Sequence, residues 1–218
     1  MISLQISPEW LPRLKACGLD SFESLIRFQD GECLSKHPRG KTYRYLLPCG
    51  QVVFIKQDFY TKKAVVLRDW LHLRSAQPNT EKERLRMALA ARHGFRVAEV
   101  IAYGQVRCCG IPSKAVMVTL PVLGRSLEAF LKSDPPADLG RQAIANALAA
   151  LHRLQDEGLD WKIDCKPEHF FVADDLTISL VDVERLTDRK NPLPESTRQM
   201  QDQRFMSLLP QSWQARPC

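Results

Sequence analysis

The sequence predicts an α+β chain in two parts, a small β-rich first lobe and a shortened, mainly helical second lobe. Three observations carry this. Runs rich in β-branched and aromatic residues gather between positions 42 and 122. The longest helix-patterned run, Leu139 to Leu154, follows the Pro135-Pro136 break. Behind that helix come only a short hairpin and a helical tail.

In chain order, Trp10, Leu11 and Leu14, then Leu19, Phe22, Leu25 and Ile26, recur at helical spacing, and Gly18 splits them into two short helices. Residues 29–40 read as polar and irregular. Thr42 to Leu47 and Gln51 to Lys56 read as strands, with Pro48-Cys49-Gly50 as the turn of a hairpin. Residues 63–75 read as helix or loop. Residues 80–93 read as a helix, capped by Asn79 or Thr80 and stopped by Gly94. Val97 to Tyr103 and Lys114 to Val122 read as strands joined by a loop with Cys108-Cys109-Gly110, and Ser126 to Leu131 as a short helix. Phe170 to Val172 and Ile178 to Val181 form a hairpin across Asp174-Asp175, and an amphipathic piece around Phe205, Leu209 and Trp213 ends the chain. The expected organisation is one domain over 1–218: N-terminal helices 1–28, first lobe 29–124 and second lobe 125–218. The boundary lies near Gly124 to Ser126, with a ligand cleft between the lobes.

Composition excludes collagen, coiled-coil and disordered classes: 44% of residues are hydrophobic and 26% charged. Lys plus Arg is 31 and Asp plus Glu 25, a net charge of +6, with a pI near 9.0. That favours anionic partners, from nucleotides to an anionic membrane face, without choosing among them. The densest basic cluster, Lys36 to Arg44, has four such residues in nine, and most of the surplus reads as solvated surface. Seven cysteines, an odd number without a Cys-x-x-Cys pair, read as reduced thiols rather than a disulfide framework or zinc site. Cys165 lacks a base beside it and reads as a small buried side chain. The N-terminus lacks the pattern of a secretory signal, and no apolar run approaches the ~20 residues of a membrane span. The expected location is cytoplasmic, peripheral to a membrane at most.

The chemistry lies in Asp164-Cys165-Lys166-Pro167-Glu168-His169, followed by Asp182 after the second strand of the hairpin. A protein-kinase catalytic loop has Asp, Asn five residues on, and a metal-binding Asp after a short strand. Here His169 stands five residues after Asp164. Phosphoryl transfer needs positioning and charge neutralisation more than covalent chemistry. Asp164 would orient the acceptor hydroxyl and take its proton late, and Lys166 would neutralise charge on the γ-phosphate. His169 and Asp182 would hold Mg2+. Lys56 ends Val-Val-Phe-Ile-Lys as the phosphate-binding Lys ends Val-Ala-Ile-Lys, and Glu83 on the next helix would pair with it, with Glu81 as the rival. Taken singly, each reads blandly: a solvated strand end, a surface helix charge, a turn cap, a loop carboxylate. Order and spacing together set them apart.

On these residues the chain resembles the lipopolysaccharide kinase family (Kdo/WaaP type), a bacterial branch of the protein-kinase-like fold. Thr42-Tyr43-Arg44-Tyr45 to Lys56, Gly94-Phe95-Arg96-Val97 with Ala102-Tyr103-Gly104, Leu151-His152, Gly158-Leu159, Asp164, His169-Phe170 and Asp182-Val183-Glu184-Arg185 carry the likeness. So does Met117-Val118-Thr119 to Ser126-Leu127, placed like the adenine-holding hinge. The resemblance implies a two-lobed fold and ATP- and Mg2+-dependent phosphorylation of a heptose or Kdo hydroxyl of the lipopolysaccharide inner core, an alcohol-directed phosphotransfer. It implies work at the anionic cytoplasmic face of the inner membrane, no nucleic acid, and room for a protein partner in core assembly. The chain departs from the kinase pattern in three places. There is no Gly-x-Gly-x-x-Gly loop, so Arg39 and Lys41 would cover the phosphates. Lys162-Ile163 replaces the His-Arg before the catalytic Asp. Only 36 residues follow Asp182, without an Ala-Pro-Glu motif. The rival expectation is a catalytically inactive nucleotide-binding scaffold for core assembly. A small-molecule kinase for cationic acceptors fits less, since residues 160–218 carry 10 acidic against 8 basic side chains.

Overall fold

The computed structural model describes residues 1–60, 76–108 and 111–214. The 63–75 stretch, read as helix or loop, and Cys109-Gly110 of the loop expected between the strands Val97–Tyr103 and Lys114–Val122 lie outside the described residues. The chain divides into two units, Met1–Leu85 with Glu99–Pro121 and Arg86–Ala98 with Val122–Cys218.

The first unit is built on a six-stranded antiparallel sheet. In chain order its strands are β1 (Ile2–Ile6), β2 (Glu32–His37), β3 (Gly40–Leu46), β4 (Val52–Asp58), β6 (Val100–Cys108) and β7 (Ile111–Thr119); β5 (Arg96–Val97) belongs to the second unit. The spatial order is β1-β6-β7-β4-β3-β2. Two of these strands differ from the sequence reading. β2 occupies the stretch read as irregular: it is an edge strand, exposed along its whole length, so no buried alternation marks it. β1 alternates Ile2, Leu4 and Ile6 with polar residues and pairs along β6 from Ile2–Val106 to Ile6–Ala102.

The alternation of β4 distributes its side chains. Val53, Ile55 and Gln57 face one way and meet helices α1 (Leu11–Lys15) and α2 (Phe22–Arg27), whose Leu14, Phe22, Leu25 and Ile26 close the core over the sheet. Burying each such side chain contributes about 1.5–3 kcal/mol. Gln57 Nε2 donates to the carbonyls of Leu25 and Phe28 at 2.9 and 3.0 Å, so the sheet satisfies the open C-terminal carbonyls of α2. The alternate residues, Lys56 and Asp58, point to α3 (Asn79–Arg92). The Asp58 carboxylate accepts from the Thr80 N–H at 2.8 Å. The start of α3 is therefore held by a strand carboxylate 22 residues away, which local cap reading could not foresee. Its end is as expected: Gly94 takes φ +74°, and the Phe95 N–H returns to the Ala90 carbonyl at 3.1 Å.

The second unit carries a four-stranded sheet in the order β5-β11-β10-β8, with β8 (Arg125–Ser126), β10 (Phe170–Val172) and β11 (Ile178–Leu180). β11 runs parallel to β5 and antiparallel to β10. A second, two-stranded sheet pairs β9 (Leu159–Asp160) with β12 (Thr187–Asp188). The helices are α4 (Leu127–Lys132), α5 (Ala137–Asp156), α6 (Glu195–Ser207) and α7 (Gln211–Gln214). Ser126 caps α4 by accepting from the Ala129 N–H at 3.2 Å. The apolar stripe of α5, with Ala143, Ala147, Leu151 and Leu154, is fully buried. Trp161, Phe170 and Phe205 pack in sequence with ring centroids 5.2 Å apart at each contact. Among the described residues no helix is long and apolar enough to cross a membrane.

Gly140 on α5 faces the Trp213 ring, and a Cβ built there would lie 1.9 Å from the indole. The indole is held in turn by its N–H to the Leu131 carbonyl at 3.2 Å. Gly140→Ala should therefore destabilise by about 1–3 kcal/mol through overpacking, despite its gain in helix propensity. Thermal denaturation should read a fall of roughly 3–10 °C, and an unchanged or raised midpoint would refute the packing argument.

Cys165 is fully buried, its Sγ bonded to the Lys162 carbonyl at 3.2 Å, and burial pushes its thiol up to about 11. At pH 8 roughly one molecule in a thousand is the reactive thiolate. Alkylation followed by mass spectrometry should mark the exposed Cys33, Cys49 and Cys108 and spare Cys165 until the chain is denatured. Native labelling of Cys165 at the rate of Cys33 would contradict this.

Candidate functional site

Within the first unit, the pairing of Thr42 with Lys56 and of Lys56 with Met117 sets Lys56 in the middle of the sheet. Its ammonium donates to the Glu83 carboxylate one turn into α3. The side chains are 34% and 13% exposed, so the pair is shielded on the glutamate side and open on the lysine side. Glu81 is occupied elsewhere: Arg84 Nε and Nη2 grip its two oxygens at 2.7 and 2.9 Å. That bond raises the Arg84 guanidinium further, and burial raises the phenol of Tyr103 beneath it. Between the two rivals, Glu83 is the partner of Lys56. Lys41 is not brought to this pair. Lys41 stands opposite Gln57 in the register, hence on the other face of the sheet from Lys56, with its ammonium about 6.0 Å from the Tyr43 ring centroid and 5.8 Å from that of Phe59. Arg39 lies in the β2–β3 turn, where its carbonyl accepts from the Phe59 N–H at 2.8 Å.

In the second unit, Asp164, Lys166, His169 and Asp182 come together on one short stretch of loop and strand ends. The Asp164 carbonyl accepts twice, from the Lys166 N–H at 2.8 Å and from His169 Nδ1 at 2.7 Å. The first bond closes a tight inverse γ-turn at Cys165, with φ −70° and ψ 70°. The second fixes the imidazole. A carbonyl can only accept, so Nδ1 carries a proton, and in the neutral ring Nε2 keeps its lone pair. That Nε2 lies 3.5 Å from Asp182 Oδ2 and 3.5 Å from Glu168 Oε1. Asp182 sits in the left-handed region at φ +53°, where a non-glycine residue is strained, and its side chain is half exposed. Its carbonyl accepts from the Trp161 indole at 3.3 Å, and the Val181 N–H returns to the His169 carbonyl at 2.9 Å. Lys166 Nζ lies 3.1 Å from Glu168 Oε1.

Two further positions were not visible from spacing. Asp164, only 12% exposed at its side chain, meets the Arg185 guanidinium with Oδ2 3.2 Å from Nε. Arg185 thus supplies the cationic neighbour that Lys162-Ile163 does not; its place three residues after Asp182 was the available signal. Asp160 is 5% exposed and takes four hydrogen bonds. They come from the Lys162 N–H at 2.8 Å, Gln201 Nε2 at 3.0 Å, and Arg189 Nη2 and Nε at 2.9 and 3.2 Å. Lys162 is held at φ +57°, a conformation costing roughly 1–2 kcal/mol. Asp160 therefore clamps the turn that delivers Asp164. Its side-chain partners stand 29 and 41 residues away, so no local motif announces it.

Among the described residues no group of three or more His, Cys, Asp and Glu is placed to hold a metal by itself. Magnesium does not require one: it takes one or two protein oxygens and completes its shell with water and phosphate. A half-exposed carboxylate beside an imidazole lone pair, with that imidazole's other nitrogen bonded to a carbonyl, fits such an ion. The two units thus hold, separately, a strand lysine locked to a helix carboxylate and a carboxylate–imidazole–carboxylate group on a braced loop.

The family model described as "Lipopolysaccharide kinase (Kdo/WaaP) family" matches residues 50–213. No curated protein matches the chain. Among solved structures, "WaaP in complex with acyl carrier protein" is similar at 19% identity and a TM-score of 0.64, covering 94% of this chain and 82% of that one. Monomeric WbdD is similar at 18% identity and a TM-score of 0.50; the match covers 80% of this chain but only 38% of that one. These likenesses fix the fold as the kinase-like α+β type. With the family model covering three quarters of its length, the chain belongs to the lipopolysaccharide kinase (Kdo/WaaP) family.

Proposed function

We propose that the chain is an ATP-dependent kinase that phosphorylates a sugar hydroxyl, on heptose or Kdo, of the lipopolysaccharide inner core. Family membership supports the class of reaction. The observation that carries the reading in this chain is the His169 ring, whose Nδ1–H is bound to the Asp164 carbonyl so that Nε2 is presented beside Asp182. ATP supplies the phosphoryl group, and Mg2+ offsets the charge on its oxygens. His169 and Asp182 would hold the metal. Lys56, oriented by Glu83, holds the α- and β-phosphates. Asp164, with Arg185 fixing its carboxylate, orients the acceptor hydroxyl and takes its proton. Lys166 offsets charge where the phosphoryl group passes.

The acceptor is anionic and membrane-bound, and a net charge of +6 suits attachment to the cytoplasmic face of the inner membrane. The solved WaaP is in complex with acyl carrier protein, which supports a protein partner for this chain in core assembly.

Two variants test the reading. Wild type with Mg2+ and ATP at a hundredfold over its dissociation constant should gain about 2.7 kcal/mol, a rise of roughly 5–10 °C in the melting midpoint. Asp182→Asn should lose the Mg2+-dependent part of that rise. Asp164→Asn should keep the rise yet lose ~10²–10⁴-fold in phosphate transfer to core oligosaccharide. A wild type that binds Mg2+ and ATP but transfers no phosphate would favour the scaffold reading. One that shows no shift at millimolar ATP would end the kinase reading.

A further inference from the structure

Beside the catalytic loop the second unit has a pocket of about 240 Å³, lined by Glu128, Lys166, Pro167, Glu168, Arg204 and Leu208. It is built from three elements: α4, the loop itself and the end of α6. Arg204 Nε donates to the carbonyl of Ile163 at 2.6 Å, one residue before Asp164. Glu168 Oε1 lies 3.1 Å from Lys166 Nζ and 3.5 Å from His169 Nε2. The pocket therefore shares its wall with the segment that carries Asp164, and one of its carboxylates touches the imidazole.

Size and lining narrow the occupant. The volume lies below the roughly 300 Å³ at which pockets for drug-sized ligands begin, so it suits one sugar ring and not a nucleotide. Carboxylates accept from ring hydroxyls, while Pro167 and Leu208 offer an apolar surface to the C–H face of a sugar. The charges are also uneven. Glu128 is paired with Lys132 at 2.5 Å and Glu168 with Lys166 at 3.1 Å. Arg204 has no carboxylate partner among the described residues, and its Nε is spent on a neutral carbonyl. The two terminal nitrogens of its guanidinium are left to form a fork suited to a planar carboxylate or a phosphate.

We propose that this pocket seats the acceptor sugar, and that Arg204 selects a sugar unit bearing an anionic group, carboxylate or phosphate. The inference rests on the kinase reading above and adds the acceptor subsite to it. The acceptor hydroxyl then enters past Lys166 and Glu168 toward Asp164. Arg204 is a specificity residue and takes no part in the transfer itself.

Saturation-transfer NMR on the full chain tests this with three probes: Kdo as a sugar acid, mannose 6-phosphate as a phosphosugar, and mannose as a neutral ring. Wild type should bind at least one anionic sugar about tenfold or more tighter than mannose. Whether Kdo or mannose 6-phosphate binds tighter identifies the anion. Arg204→Gln should bring the anionic sugars down to the level of mannose. Leu208→Trp, which fills the pocket and leaves the Arg204–Ile163 bond in place, should weaken all three. Mannose binding wild type as well as both anionic sugars, or both variants binding as wild type does, would overturn the proposal. The Mg2+- and ATP-dependent melting shift is measured in parallel. Its loss in wild type would count against the kinase reading, whereas a normal shift without anionic-sugar preference would count against the pocket alone.

Discussion

Asp160 is 5% exposed, and a carboxylate that far from water is costly unless its oxygens are saturated. Four hydrogen bonds, two of them from one guanidinium, saturate it. They tie together β9, the turn at Lys162, the segment after β12 and helix α6. The arrangement of the second unit follows from that one anion. The strained Lys162 turn is tolerated because the clamp over-determines it, and the turn in turn sets the direction in which Asp164 leaves. Beneath it the tilted and edge-on Trp161–Phe170–Phe205 cluster gives the loop a rigid floor, and the Trp161 indole reaches across to the Asp182 carbonyl. The same packing thus supports both ends of the proposed metal-holding pair.

The first unit solves a comparable problem by period rather than by a clamp. A strand sends successive side chains to opposite faces, so one seven-residue strand, β4, serves two purposes. Val53, Ile55 and Gln57 anchor α1 and α2; Lys56 and Asp58 anchor α3. The Lys56–Glu83 pair depends on this division, because Asp58 fixes the first turn of α3 and thereby the height at which Glu83 meets the strand. The same period takes Lys41 away from Lys56.

How much of this was legible beforehand varied with the range of the interaction. The hairpin of β3 and β4, the two short helices split at Gly18, α3 with its glycine stop, α5 and the final hairpin all followed from local periodicity and turn residues. β2 did not, because an exposed edge strand buries no face and leaves no alternation to read. β1 left an alternation, but its strand character depends on pairing with β6 about a hundred residues away. Asp164, His169 and Asp182 were legible as a spacing, since the loop and hairpin that join them are local. The choice of Glu83 over Glu81 was not, because both lie on one helix and only Arg84, by gripping Glu81, separates them.

The sequence by itself determined the α+β class, the family and the order of chemistry-bearing residues, because periodicity, turn residues and motif spacing act over a few neighbours. Only the tertiary structure decided what those residues touch. The tautomer of His169 follows from a carbonyl placed 2.7 Å from Nδ1, and the cation beside Asp164 from Arg185, 21 residues on. The Gln201 arm of the Asp160 clamp and the Arg204 fork, which has no carboxylate partner among the described residues, come from helix α6, which packs back onto the loop from about forty residues downstream. Such contacts are set by which faces are buried against each other, and no local pattern in the chain encodes that.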